Sequence, residues 1–191
     1  MNKIIGILGM QGAIAEHQEI LLQIPHTKTR IVKTAKDLDC IDGLILPGGE
    51  STAIGKLLDY FSLKEILQQK IISGLPVFGT CAGLILLAKN IENQANTHLA
   101  TMDITVKRNG YGSQLDSFST NLLIPAIDKN TPIPLVFIRA PYITKINKNV
   151  EILATLNDKI IAARQKNMLV SSFHPELTCD LRFHQYFLSM I

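Results

Sequence analysis

Five consecutive residues, Gly79-Thr80-Cys81-Ala82-Gly83, set a thiol between two glycines where an apolar run (residues 76–79) gives way to an apolar helical run (residues 84–89). A strand that turns at once into a helix leaves little room for side chains. Flanking glycines permit so tight a turn, and the residue between them is held up at the carboxyl edge of the sheet. Two consequences follow for Cys81 as a nucleophile. The partial positive charge of a helix N-terminus favours thiolate over thiol, and the Ala82 amide is left free to point at a developing oxyanion. The plainer reading is a buried structural cysteine in an ordinary strand-to-helix turn. Cys40 and Cys179 lack such a setting and read as packing or surface residues.

A cysteine nucleophile requires a base, and the base a group that orients it. Phe173-His174-Pro175-Glu176 supplies both at the end of the apolar run 168–173. Residues two apart in an extended segment project to one side, so Glu176 can fix the tautomer of His174 and stabilise its imidazolium, with Pro175 keeping the segment extended. A surface histidine beside a helix-starting proline is the alternative. The other histidines compete less well: His17 and His184 fall within helical stretches, His26 sits by Pro25 in a loop, and His98 has no acidic residue two positions on. Each reads as solvent-facing.

A third element, Pro47-Gly48-Gly49-Glu50-Ser51, follows the apolar run 43–46. Open α/β sheets place ligands at the carboxyl ends of their strands. Gly48 and Gly49 could there turn a backbone amide inward as a second oxyanion donor, a contribution of about 3 kcal/mol. Taken alone the segment reads first as a plain Gly-rich turn with Ser51 as the N-cap of the next helix, and only beside the other two elements as part of a site. No phosphate-binding Gly-rich pattern is present.

The elements that must position these groups alternate along the chain. Residues 4–8, 30–33, 43–46 and 76–79 read as buried strands, and residues 13–24, 63–72, 84–89 and 180–190 as helices, with a short helical connection at 35–39. From about residue 99, strand signals dominate, at 103–107, 119–123, 135–138, 150–156, 160–164 and 168–173. This predicts an α/β fold: an open, mostly parallel sheet flanked by helices in three layers, with additional antiparallel strands in the C-terminal half. No repeat or flexible linker divides residues 1–191, so one domain is expected.

Composition narrows the function classes. With 191 residues, 47% hydrophobic and 18% charged, the chain can bury a sizeable core. Its net charge of +3 comes from scattered basic residues, which argues against nucleic acid as a partner. No apolar stretch nears the roughly 18 residues that span a bilayer, so a soluble protein is expected. Lys3, the apolar residues 4–10 and Ala13-Ile14-Ala15 imitate a short signal peptide, but Gly6 and Gly9 interrupt the apolar part. A strand, tight turn and helix account for the same residues. Three widely spaced cysteines suit a reducing, cytoplasmic compartment and form no metal motif.

Taken in order, Gly9-Met10-Gln11-Gly12, residues 46–52, residues 78–84, Arg108-Asn109, residues 137–141 and residues 172–177 resemble the class I, or triad, glutamine amidotransferases. Among these they are most similar to the glutaminase subunits of pyridoxal 5′-phosphate synthases. The resemblance implies hydrolysis of L-glutamine through a γ-glutamyl thioester, with Cys81 as nucleophile and His174 and Glu176 completing the triad. It implies that Gly49, Glu50 and Ser51 hold the glutamine, with Arg108, Ile138 and Arg139 completing the pocket; an arginine's planar fork suits the α-carboxylate. It further implies that Gln11 belongs to the surface where a synthase subunit docks. That partner would receive ammonia within a hetero-oligomeric complex and build the coenzyme from a pentose phosphate and a triose phosphate. No cofactor or metal is called for. Ser113 stands where many relatives carry arginine and Tyr142 where histidine is frequent, which bears on partner contacts rather than on the triad.

Two other classes remain as alternatives. Many other cysteine hydrolases and chaperone-like elbow proteins place a histidine directly after the nucleophile, whereas Ala82 follows here. A catalytically silent regulatory subunit would have no need of an intact Cys, His and Glu set.

Overall fold

The computed structural model describes residues 2–110 and 117–191. Four segments are apolar without alternation: β1 (Lys3–Leu8), β3 (Gly43–Leu46), β4 (Val77–Thr80) and β12 (Met168–Ser171). All four residues of β3, β4 and β12 are buried, as expected of parallel strands covered on both faces. With β2 (Thr27–Val32) they form a parallel block in the order β2-β1-β3-β4-β12.

Beyond β12 the sheet turns antiparallel through β11 (Lys159–Gln165) and β9 (Tyr142–Ile146) to β6 (Met102–Lys107). There β5 (Ala88–Ile91) adds in parallel, while β10 (Glu151–Leu156) pairs with β11 off the main path. A separate antiparallel hairpin joins β7 (Ser117–Leu122) to β8 (Ile133–Ile138), and β8 shows the alternating burial of a strand with one face on the core.

Period-2 alternation sorts the sheet residues into two cores. Leu44, Leu46, Val77 and Val170 face α2 (Ser51–Tyr60), α3 (Lys64–Ile72) and α4 (Ala82–Leu87). Ile45, Phe78 and Leu169 face the other way, against α1 (Ile14–Leu22), α5 (Arg182–Ser189) and the hairpin. The second core is anchored by Phe78, stacked on Phe183 at 5.7 Å between ring centres, and by Phe173, edge-on to Phe183 at 5.0 Å. Fully burying one such side chain contributes about 1.5–3 kcal/mol, and Phe173 thereby fixes the backbone next to His174. The three-layer, mostly parallel arrangement expected from the sequence is present.

Several local expectations need correction. Residues 84–89 are not one helix: α4 begins at Ala82 and ends at Leu87, and Ala88–Ile91 is drawn into the sheet by pairing with β6. The strand Tyr142–Ile146 has no counterpart among the sequence-based expectations. Ser51 is the first residue of α2 and not its cap. Glu50 is the N-cap, its longer carboxylate curling back to accept from the Thr52 and Ala53 amides.

Candidate active site

The carboxyl ends of β1, β3, β4 and β12 lie side by side, as the registers Ile7↔Ile45, Leu46↔Gly79 and Ser171↔Thr80 require. The Cys81 elbow, the Gly48-Gly49 turn and the His174 segment all leave the sheet at this edge. The glycines of the elbow are there for proximity. A Cβ on Gly79 would lie 2.6 Å from the Gly83 carbonyl, and one on Gly83 would lie 2.1 Å from the Leu46 oxygen. Cys81 itself adopts φ 48° and ψ −97°, a left-handed conformation that costs an L-residue on the order of 1–3 kcal/mol. Its amide donates to the Ser171 carbonyl at 2.8 Å, tying the elbow to β12.

His174 is placed by Phe173 on one side and by its own amide, which donates to Val136 of β8 at 2.8 Å. Its ring and the Cys81 side chain flank the same glycine, a Cβ on Gly48 lying 2.4 Å from His174 Cε1 and 3.5 Å from Cys81 Cβ, and Nδ1 lies 2.7 Å from Glu176 Oε1. The connecting segment differs from the expected extended form: Pro175–Leu177 is a 3-10 turn, for which the fixed φ of Pro175 is preorganised. Glu176 therefore reaches the ring from a tight turn and lies behind it, 5% exposed.

Burial alone would lower the pKa of His174, but the interactions of its ring with the Cys81 sulfur and the Glu176 carboxylate, which accept from it, and the charge of Glu176 push it up to about 10. Glu176 shows the converse. Burial would raise it, yet the facing His17 ring and the hydrogen bond and charge of His174 hold it below its ordinary value. The electrostatic state favoured is an imidazolium between sulfur and carboxylate.

A cleft of about 490 Å³ opens on this edge. Cys81 and His174 line it, as do Gln11, Gly48, Gly49, Glu50, Ser51, Arg108, Ile138 and Arg139. Ala82, the first residue of α4, is buried beneath. The glycine turn is held from below. Gly48 accepts from the Ala13 amide at 3.0 Å, and the Glu50 amide donates to Gln11 Oε1 at 2.8 Å. A trans peptide presents its N–H opposite its carbonyl, so this tether also sets the direction of the Gly49 N–H. Gly48 has no spare room, since a Cβ there would meet His174 Cε1 at 2.4 Å.

On the far wall, Arg108 donates to Glu50 Oε1 at 3.0 Å and to Thr52 Oγ1 at 3.1 Å. Although burial opposes it, the Thr52 and Ala53 amides and the Arg108 charge hold the Glu50 carboxyl below its usual range. Arg139 stands on the same cleft at φ 45°. Tyr142 closes against Gly110, where an added Cβ would lie 2.0 Å from its ring; Ser113 lies outside the described residues.

Such a cleft, with a thiol, an imidazole and a carboxylate in line and backbone amides at two glycine turns, can carry acyl transfer from an amide. A family model for SNO glutamine amidotransferases matches residues 7–191. The chain belongs to the SNO glutamine amidotransferase family. This amidotransferase is 54% identical over 189 residues to "Pyridoxal 5'-phosphate synthase subunit PdxT" of Ruminiclostridium cellulolyticum, covering 99% of the chain and 100% of that relative. It is 55% identical over 184 residues to the protein of the same name from Clostridium botulinum, covering 96% and 95%. A solved structure described as a glutamine amidotransferase superposes with a TM-score of 0.90 at 39% identity, over 97% of each chain. No helix among the described residues is long and apolar enough to cross a membrane.

A further expectation that fails is the one for His17 and His184. Both are fully buried, not solvent-facing, and they sit directly behind Glu176. The signal was in the periodicity. Ile14, His17 and Leu21 recur at helical spacing, so His17 belongs to the apolar stripe of α1; Phe183, His184, Phe187 and Leu188 place His184 on that of α5. His26 is exposed as expected, and His98 is half-buried against Gly55 of α2.

Proposed function

We propose that this chain is the glutaminase of a pyridoxal 5′-phosphate synthase, hydrolysing L-glutamine to L-glutamate and ammonia and passing the ammonia to a synthase subunit. The observation that carries the reading is the contiguous line of Cys81, His174 and Glu176 on the wall of the cleft. Family membership and two relatives named as synthase subunits over nearly their full length support the biosynthetic setting.

In this mechanism the Cys81 thiolate attacks the side-chain carboxamide carbon of glutamine. The carbonyl oxygen becomes an oxyanion, met by the Ala82 amide and by amides of Gly48 and Gly49. The tetrahedral adduct collapses as the His174 imidazolium protonates the departing nitrogen, releasing ammonia and leaving a γ-glutamyl thioester. Neutral His174 then takes a proton from water, whose oxygen attacks the thioester. Glutamate departs, and the thiolate and imidazolium are restored. Glu176 holds the ring and stabilises its charge throughout. Gly49, Glu50 and Ser51 with Arg108, Ile138 and Arg139 grip the amino-acid end of the substrate.

Gln11, exposed beside the cleft and bonded to the Glu50 amide, is assigned to the docking surface for the synthase subunit. Three free thiols, at Cys40, Cys81 and Cys179, fit a cytoplasmic protein, and one ten-stranded sheet drawing strands from both halves of the chain fits a single domain. The test is ammonia release from glutamine with and without the synthase subunit. The unmodified chain is expected to be slow alone and faster in the complex, and Cys81→Ala inactive in both. Undiminished release by Cys81→Ala rejects the assignment of the nucleophile.

A further inference from the structure

Behind Glu176 runs a line of buried polar groups that the reaction above does not use. His17 on α1, Thr80 at the end of β4 and His184 on α5 are each 0% exposed. Glu176 commits Oε1 to His174, while Oε2 is buried without a hydrogen-bond partner among the described residues. His17 Nε2 stands 3.5 Å from that oxygen and 3.1 Å from Thr80 Oγ1, and His17 Nδ1 stands 3.0 Å from His184 Nε2.

Burial disfavours the charged form of both rings, so each carries a single proton, and two arrangements connect them. With the proton of His17 on Nδ1, that atom donates to His184 Nε2. His184 must then carry its own proton on Nδ1, which has no partner among the described residues, and the Nε2 of His17, though able to accept from the Thr80 hydroxyl at 3.1 Å, holds its lone pair 3.5 Å from the Glu176 carboxylate. With the protons on the two Nε2 atoms, His184 donates to His17 Nδ1, and the His17 N–H points at Thr80 Oγ1 and Glu176 Oε2. Only the His184 Nδ1 lone pair goes unmet. A buried orphan N–H and a lone pair against an anion are both costly, and the second arrangement avoids both.

We propose that His17 is a positioning residue for the triad: its Nε2–H, fixed by His184, holds the second oxygen of Glu176 so that the first stays aimed at His174 Nδ1. The role rests on the glutaminase reading above. At 3.5 Å the contact is long, and contacts of this kind tighten as the reacting complex forms. The titratable groups facing His17 are Glu176 and His174 on the cleft side, His184 on α5 and Glu16 on its own helix.

Glutamine turnover by the complex with the synthase subunit, compared for the unmodified chain, His17→Gln and His17→Leu, tests the role. Gln keeps a donor near the Nε2 position, whereas Leu fills the space without one. The expected result is a kcat for His17→Gln within about threefold of the unmodified value, and a loss of about tenfold to hundredfold for His17→Leu. KM is expected to shift by no more than about twofold, since His17 does not line the cleft. A packing role alone would spare kcat with Leu at least as well as with Gln. A folded His17→Leu with unchanged kcat overturns the proposal. Ring-nitrogen NMR of the unmodified chain decides independently of how the variants fold. A proton on Nε2 of His17 supports the role, and one on Nδ1 overturns it. Absence of hydrolysis by the unmodified complex overturns the glutaminase reading and this role together; hydrolysis that His17→Leu matches overturns the role alone.

Discussion

His174 Nδ1 lies 2.7 Å from Glu176 Oε1, with the ring on the cleft and the carboxylate buried behind it. The carboxylate does two things for the ring: it fixes the proton on Nδ1 and it stabilises the positive charge. Glu176→Gln keeps the shape and removes both. We expect kcat to fall by on the order of a thousandfold with KM little changed, because Glu176 does not line the cleft. The protonation midpoint of His174, pushed up to about 10 in the intact chain, should fall. Steady-state kinetics and a ring titration by NMR check both, and a kcat within tenfold of the unmodified value contradicts the assignment.

The strained backbone at Cys81 makes a prediction that separates conformation from chemistry. At φ 48° the Cβ of any L-residue is penalised, whereas glycine is not. Cys81→Ala and Cys81→Gly should both abolish hydrolysis, yet Cys81→Gly should be the more stable of the two. The gain should be about 1 kcal/mol, after part of the released strain is offset by the greater freedom of glycine in the unfolded chain. Denaturant unfolding of the two variants measures the difference, and an alanine variant of equal or greater stability argues that the elbow is unstrained.

How much of this was legible before the structure depends on what each segment is buried by. Residues 5–8, 43–46 and 77–79 are buried without alternation, so their apolar runs are continuous and stand out. The glycines around Cys81 announced a tight elbow because nothing larger fits. By contrast, Ala88-Lys89-Asn90-Ile91 and Tyr142–Ile146 are strands only because neighbours pair with them, and their short polar-rich sequences carry no such period. Glu50 capping α2 in place of Ser51 depends on a side chain curling back, which residue preference does not reveal. The cluster behind Glu176 is masked in the sequence because histidine is a polar residue type, although His17 and His184 occupy apolar positions of amphipathic helices.

The proposed role of Arg108 in holding the substrate carboxylate is separable from its contact with Glu50. Its contact with Glu50 joins partly exposed side chains, so the pair adds less than about 1 kcal/mol to folding. A charge-assisted hydrogen bond to the substrate carboxylate is worth about 1.5–3 kcal/mol, or roughly tenfold to hundredfold in affinity. Arg108→Ala should therefore raise the KM for glutamine by about that factor while moving the unfolding midpoint little. Arg108→Lys should recover only part of it, because an ammonium cannot reproduce the planar fork. Kinetics in the complex with the synthase subunit provide the check, and an unchanged KM removes Arg108 from the substrate pocket.

The histidines also set how stability responds to pH, and they act in opposite senses. His174 is raised from an ordinary value near 6.5 to about 10, so its contribution is fully present below about pH 6.5 and is lost as pH rises from there through 10. His17 and His184 are lowered, chiefly by burial, and stay neutral in the folded state. The unfolded chain takes up their protons below about pH 6.5, so stability falls as pH drops. Half-buried His98 adds in the same sense, and Asp103 and Asp180, held low by their hydrogen bonds, extend the loss below about pH 4. Stability should thus peak between about pH 6 and 7. Each proton contributes a slope of about 1.4 kcal/mol per pH unit, and the acid limb, with two fully buried rings, should be the steeper. Urea unfolding between pH 4.5 and 9.5 tests this. His184→Leu should flatten the acid limb and leave the alkaline one in place, and a profile that is flat from pH 5 to 7 would show that the two buried rings do not stay neutral.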